Sequence, residues 1–332
     1  MTIFDEDIQN IIKNFDMSVF KNKTILVTGA TGLIGKLCVK SLLNCGCNVK
    51  VIALVRNRQK ADNVFGNNPN LELIVQDIND KIDANIKADY IIHGASVTAS
   101  ADFINKPVET IMTAINGTKN VLEYAKKSNI EGMVYLSSLE VYGIPANKTV
   151  KENDYGFIDI LNPRSSYSEG KKIVETLCSS HASEYNVPVK IVRLSQTFGA
   201  GVDKNDNRVF AQFAKSVINK ENIILHTKGE TARNYCYTTD AITGIFTVLT
   251  KGEIAQAYNI ANKNTYITIA DMAKLLENEY TKVVFDIDNK NRGFNPTMQI
   301  CLNTDKLEAL GWSAKIDLNQ MFERTIKSMQ EE

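Results

Sequence analysis

Apolar positions along the chain fall into two rhythms. Ile8, Ile11, Ile12 and Phe15 recur at helical spacing, which predicts a short amphipathic helix ahead of the first strand. The β-branched run TILVT then ends in a glycine-rich turn and passes into a helical pattern through KLCVKSLL. VKVIALV, LELIVQD, ADYIIHGAS, GMVYLSS and VPVKIVRLS each read as a further buried strand. The long amphipathic pattern VETIMTAINGTKNVLEYAKKS precedes the fifth strand, and a helix beginning near Ser165 runs toward Tyr185. Strands alternating with helices predict an α/β chain built on a parallel, doubly wound sheet. Past about residue 196 the alternation loosens. Short strands (NIILHT, QAYNIA, KVVFDI) mix with the helical stretches VFAQFAKSVI and IADMAKLLENEY, which predicts a smaller mixed α/β C-terminal lobe with a cleft between it and the sheet. The expected division is 1–23 as a helical extension, 24–196 as the sheet domain and 197–332 as the second lobe, some of whose strands and helices return to the sheet.

Charge and composition narrow the classes of function. Of 332 residues, 38 are Lys or Arg and 38 are Asp or Glu, so no net field favours nucleic acid or an anionic membrane. No apolar run approaches the ~20 residues of a spanning helix. The acidic start MTIFDED carries no basic region of a signal peptide, so a cytoplasmic location is expected. Cys38, Cys45, Cys47, Cys178, Cys236 and Cys301 form no C-x-x-C pair and read as reduced thiols. His93, His181 and His226 are isolated. That argues against a zinc site or a Ser-His-Asp relay, so no metal is expected and a catalytic base would not be histidine.

The glycine turn changes the picture most. Gly29, Gly32 and Gly35 fit G-x-x-G-x-x-G between a strand and a helix. Glycines permit the sharp turn and the close approach of backbone to a pyrophosphate, and the helix N-terminus offers free N–H groups. Gly29, Thr31, Gly32, Leu33, Ile34 and Gly35 are therefore expected to hold a dinucleotide. The second strand ends ALVRNR, with no acid to grip an adenosine ribose and with Arg56 available for a 2′-phosphate. The cofactor is read as NAD or NADP, with Arg56 tilting toward NADP; alternatively Arg56 stacks on adenine or faces solvent. Asp77 and Ile78 are expected to face the adenine, and Ala95 and Ser96 to pass near the nicotinamide.

Ser137 and Ser138 end the fifth strand, where open α/β sheets carry their sites. Tyr167 and Lys171, in RSSYSEGK, are four apart and share a helix face. A lone Tyr-x-x-x-Lys means little. Placed after a serine-bearing strand and a glycine turn, it forms an oxidation site: Tyr167 takes a proton from a substrate hydroxyl, Ser138 hydrogen-bonds the same oxygen, and the Lys171 charge is expected to bring the phenol down toward working pH. The alternative for Ser138 read by itself is a helix or turn cap.

TGATGLIG, HGAS, LSSLEVYG, RSSYSEGKK, RLSQTFG, GETARNYCYTTD and the late LGW together resemble extended short-chain dehydrogenases/reductases of the NAD-dependent epimerase/dehydratase family, which act on nucleotide sugars. The resemblance implies a Rossmann sheet and a C-terminal nucleotide-sugar lobe. It also implies oxidation at C4 to a 4-keto intermediate, followed by epimerisation, decarboxylation or elimination, in surface polysaccharide precursor synthesis. A dehydrogenase or reductase with net hydride transfer is the alternative, and a non-catalytic dinucleotide sensor the third reading. LSSLEVYG is similar to the segment of 4,6-dehydratases and UDP-glucuronate decarboxylases that carries a glutamate two residues past the hydroxyl, here Glu140. Two roles stand for Glu140: proton transfer at C5, or an orienting acceptor. The 4,6-dehydratases carry an aspartate where Leu139 stands, which weakens that reading. The resemblance further implies substrate contacts from Ser137, Arg164, Gln196, Thr197, Arg208, Val209, Arg233 and Arg292. It implies a structural Asn116 and a homodimer through a four-helix bundle of segments 103–128 and 165–186.

Overall fold

The computed structural model describes residues 1–83, 85–287 and 297–331. The chain opens with α1 (Ile3–Asn14), whose Thr2 and Asp5 form a reciprocal capping box. There follow β1 (Thr24–Thr28), α2 (Leu33–Asn44), β2 (Lys50–Val55), α3 (Arg58–Phe65), β3 (Leu71–Val75), β4 (Tyr90–His93), α4 (Ser100–Asn105) and α5 (Pro107–Ser128). Next come β5 (Gly132–Ser138), β6 (Thr149–Val150), α6 (Ser166–Tyr185), β7 (Val189–Leu194), β8 (Gln196–Phe198), α7 (Val209–Asn219), β9 (Ile223–Leu225), β10 (Ala232–Tyr237) and α8 (Thr238–Lys251). The remainder is β11 (Ala257–Ile260), β12 (Asn262–Thr268), α9 (Ile269–Lys274), β13 (Val283–Phe285), β14 (Gln299–Leu302), α10 (Asp305–Glu308) and α11 (Leu318–Glu331).

The main sheet is parallel, in the order β11-β7-β5-β4-β1-β2-β3. Strand order reverses between β1 and β4, and at that switch point the strand C-termini frame a crevice. One face buries Leu37, Leu42, Ile245 and Phe246 against β1, β2 and β4. The other buries Val121, Leu122, Val174 and Cys178 against the same strands. QAYNIA, read among the short strands past residue 196, is a strand that returns to the sheet: it forms β11 beside β7. The N-terminal extension packs into the sheet domain, with Ile8, Ile11, Met17 and Phe20 within the first core.

The C-terminal lobe centres on β10, flanked by β12, β14 and β8, with β6 beyond β14. Phe198, Phe210, Tyr235, Met272 and Phe322 form its core. The stretch IADMAKLLENEY is helical only over Ile269–Lys274. The segment 103–128 is broken at Lys106, because Pro107 opens α5 at a position where its missing N–H costs nothing.

Candidate active site

The turn after β1 fits a dinucleotide. Gly29 has φ +71°, and a Cβ there would come within 2.7 Å of the Gly94 carbonyl carbon. A Cβ on Gly35 would stand 2.2 Å from the Gly29 oxygen. Both positions accept only glycine, so α2 starts hard against β1. Gly32 caps α2 without any side-chain bond, which leaves first-turn N–H groups of Leu33 and Ile34 for an anion. Thr31 is partly exposed beside them. Beneath the turn, His93 Nδ1 lies 2.7 Å from Thr28 Oγ1 and Nε2 lies 2.9 Å from Thr118 Oγ1. Burial pushes this imidazole down to about 3, so it stays neutral. Thr28 Oγ1 also accepts the Ala95 N–H at 3.1 Å, which ties the ends of β1 and β4 together.

At the adenosine end, Arg56 is exposed beyond β2, and Arg58 is paired with Asp62 at 2.9 Å. The Asp77 carboxylate accepts from the Asn79 backbone N–H and side-chain amide. Ile78 is buried, its carbonyl held by Asn120 at 3.0 Å. Ser96 Oγ reaches only the neighbouring Val97 carbonyl, at 3.4 Å.

The catalytic candidates meet at the C-terminal edge of β5. Ser138 ends the strand and caps the 3-10 turn Leu139–Tyr142, accepting the Glu140 N–H at 3.2 Å. Its hydroxyl also lies close enough to the Tyr167 phenol to help pull its pKa down. Tyr167, in the first turn of α6, stacks face to face on Phe103 of α4, with centroids 4.2 Å apart and planes 11° apart. One turn further, Lys171 Nζ donates to the Leu136 carbonyl at 2.8 Å and lies 5.7 Å from the Tyr167 ring centre.

The expected effect of Lys171 on the phenol is corrected here. Burial pushes Tyr167 up to about 12; the Ser138 hydrogen bond, Arg208 and Arg164 pull it down, and Glu140 pushes it up. Burial also brings Lys171 down to about 8, opposed by Glu175 and Cys178. For each group burial is the largest cause, and Lys171 is not among the groups that lower the phenol.

Glu140 is held by Arg164 through two bonds, at 3.1 and 3.3 Å, and accepts from Ser168 at 3.2 Å. Arg164 is thus first of all the partner of Glu140. Leu139 is buried with Val141, Tyr142 and Val150 and offers no proton.

Ser137, expected at the substrate, is 4% exposed, and its hydroxyl donates to Glu175 on the opposite face of the strand. Strand alternation sends it under α6 while Ser138 points past the edge. On the far wall, Arg208 grips Asp206 through Nε and Nη2 yet stays near enough to act on the Tyr167 phenol. Val209 opens α7 and is exposed. Gln196 is partly exposed on β8, while Thr197 is buried and bonds the Ser195 carbonyl. Arg233 is partly exposed on β10, and Asn116 on α5. Arg292 lies outside the described residues. Phe103, Asp206, Glu175 and Arg193 escaped the sequence reading. Only Glu175 left a local trace, one helical turn past Lys171.

Comparison with known proteins gives the family and the fold. Residues 25–261 match the family described as the NAD dependent epimerase/dehydratase family. UDP-glucuronic acid decarboxylase 1 of Xenopus tropicalis is 28% identical over 282 residues, 82% of this chain and 66% of that protein. UDP-glucuronic acid decarboxylase 4 of Arabidopsis thaliana is 29% identical over 312 residues, 92% of this chain and 68% of that one. The chain thus spans about two thirds of the length of these curated relatives. In fold, it superposes on a UDP-glucuronic acid 4-epimerase from Bacillus cereus in complex with NAD, with a TM-score of 0.75, 21% identity and coverage of 93% and 99% of the two chains. With its glycine turn, its Ser138–Tyr167–Lys171 row and a match over most of its length, the chain belongs to the NAD dependent epimerase/dehydratase family.

Proposed function

We propose that the protein oxidises C4 of a nucleotide-linked hexuronate and decarboxylates the resulting 4-ketone. The observation that carries this is the row Ser138, Tyr167 and Lys171, adjoined by the Glu140–Arg164 pair, with an apolar Leu139 where a second acid would assist loss of a hydroxyl. The first-turn N–H groups of α2 would hold the NAD pyrophosphate. NAD, when bound, supplies the acceptor for the C4 hydride and returns it later. Tyr167 takes the hydroxyl proton, and Ser138 hydrogen-bonds the oxygen. A carboxylate β to the new ketone leaves as carbon dioxide, its bonding pair forming the C4–C5 enolate. Ser138 and Tyr167 stabilise that enolate oxygen, and Glu140 relays to C5 the proton, drawn from solvent, that replaces the departing carboxylate. The relatives that are UDP-glucuronic acid decarboxylases support this outcome over simple epimerisation.

The absence of an acid at the end of β2, with Arg56 exposed there, supports acceptance of NADP beside NAD. Exposed Val108 and Met112 on α5 and Ile173 on α6 support a homodimer through these helices. Six free cysteines fit a cytoplasmic setting.

The test incubates NAD-loaded protein with UDP-, dTDP-, CDP- and GDP-sugars, including UDP-glucuronate, and identifies products by mass and NMR. Loss of carbon dioxide from the uronate without net reduced nicotinamide is expected. No turnover of any sugar, with a Tyr167→Phe variant that binds NAD as the wild type does, sinks the reading. Steady accumulation of reduced nicotinamide would make it a net dehydrogenase.

A further inference from the structure

Tyr167, Lys171 and Glu175 form one stripe on α6, spaced four residues apart. The structure stitches this stripe to β5 in three rungs. Tyr167 lies near enough for the Ser138 hydroxyl to act on its phenol, Lys171 Nζ donates to the Leu136 carbonyl at 2.8 Å, and Glu175 accepts from Ser137. The lowest rung is also the most elaborate. Arg193 stands opposite Ser137 in the β5–β7 register, so both side chains share a face of the sheet. Its Nε and Nη2 reach the Glu175 carboxylate at 3.1 and 2.7 Å. Its Nη1 donates to the Tyr142 hydroxyl at 2.9 Å and to the Glu152 carbonyl at 2.7 Å. Tyr142 in turn donates to Asn259 at 2.7 Å and closes the same 3-10 turn that carries Glu140. Ser137, Tyr142, Glu175, Arg193 and Asn259 are all buried.

Burying an ion pair costs desolvation that a hydrophobic pair of the same volume would not. Here the charged pair connects three elements that carry the reacting groups: the end of β5, the turn with Glu140 and the helix with Lys171. We propose that Glu175 and Arg193 are positioning residues of the active site, locking the β5 terminus and the α6 stripe into one unit and setting a fixed negative charge one helical turn from Lys171. The proposal rests on the reading of Lys171 as part of the catalytic row. The groups that face Lys171 are Tyr167, Glu175 and Cys178 from its own helix, Tyr135 from β5 at 4.7 Å from ring centre to Nζ, and His93 from β4. His93 is neutral, and burial holds Tyr135 well above its ordinary value, so among these Glu175 is the charge that keeps Lys171 protonated.

The experiment uses full-length, NAD-loaded protein with Glu175→Gln, which keeps the size and the Ser137 hydrogen bond but removes the charge. Lys171 is followed directly by NMR of labelled lysine side chains, assigned by the signal lost in Lys171→Arg. Its titration should move to lower pH by about one unit, and the alkaline limb of kcat/KM should move with it while NAD affinity stays at the wild-type value. An unmoved Lys171 titration in folded Glu175→Gln overturns the proposal, whatever the protein's substrate proves to be. Ser137→Ala leaves the ion pair whole and tests the strand rung: kcat should fall about tenfold with KM unchanged. Wild-type kcat in that variant overturns the claim even if Glu175→Gln fails to fold. A substrate panel with no turnover, beside a shifted Lys171 titration, would refute the proposed reaction and leave the positioning role standing.

Discussion

Tyr167 carries a phenol that burial holds near pH 12, against the help of Ser138, Arg208 and Arg164. The free protein thus holds Tyr167 as the neutral phenol at neutral pH, and its role as base belongs to the site with NAD and substrate bound. Tyr167→Phe should therefore lower turnover by about 10²–10⁴-fold with folding and NAD affinity intact, checked by kinetics and calorimetry. Lys171, brought down to about 8, sets a second expectation. The ammonium is the active form and is lost as pH rises through that value, so kcat/KM, which reports the free enzyme, should decline above about pH 8. Ser138, Tyr167 and Lys171 were legible in the sequence because strand ends and four-residue helical spacing are local facts. The fate of Ser137 was not, since its partner Glu175 lies 38 residues away and strand alternation decides which hydroxyl of the pair meets solvent. The stack of Phe103 on Tyr167 was equally hidden, because it joins two separate elements that no local spacing relates.

At the scale of elements, the strands of the sheet and the helices α2, α5 and α6 followed from periodicity, while α8 did not. Its residues 238–249 are buried on every side, so it lacks the polar face that marks an amphipathic helix. The N-terminal helix was predicted, but its function as a brace was not. Asp7 is fully buried and accepts from Tyr237 at 2.7 Å and from Arg324 of α11 at 2.7 Å, joining both ends of the chain to the C-terminus of β10. Arg324→Met leaves that buried carboxylate with the Tyr237 bond but without its cation and should cost about 3 kcal/mol, read from the urea midpoint at unchanged slope.

For the whole molecule, the two helices behind the site present Val108, Met112 and Ile173 to solvent, 71%, 43% and 50% exposed. If these faces meet in a dimer, light scattering at micromolar concentration gives twice the chain mass. The paired substitutions Met112→Lys and Ile173→Lys, which place like charges in the contact, give the monomer. Wild-type protein that scatters as a monomer rejects the arrangement. Among the described residues no helix is long and apolar enough to cross a membrane.

By itself the sequence determined the parallel sheet, the dinucleotide turn and the Ser–Tyr–Lys row, because each depends on spacing within a few tens of residues. Tertiary structure alone decided how those groups are charged and held. The phenol and the ammonium are shifted by burial, which no linear pattern reports. Glu140 is bound to Arg164 and Ser137 to Glu175 through contacts across elements, so what each can do was settled only when the chain closed around them.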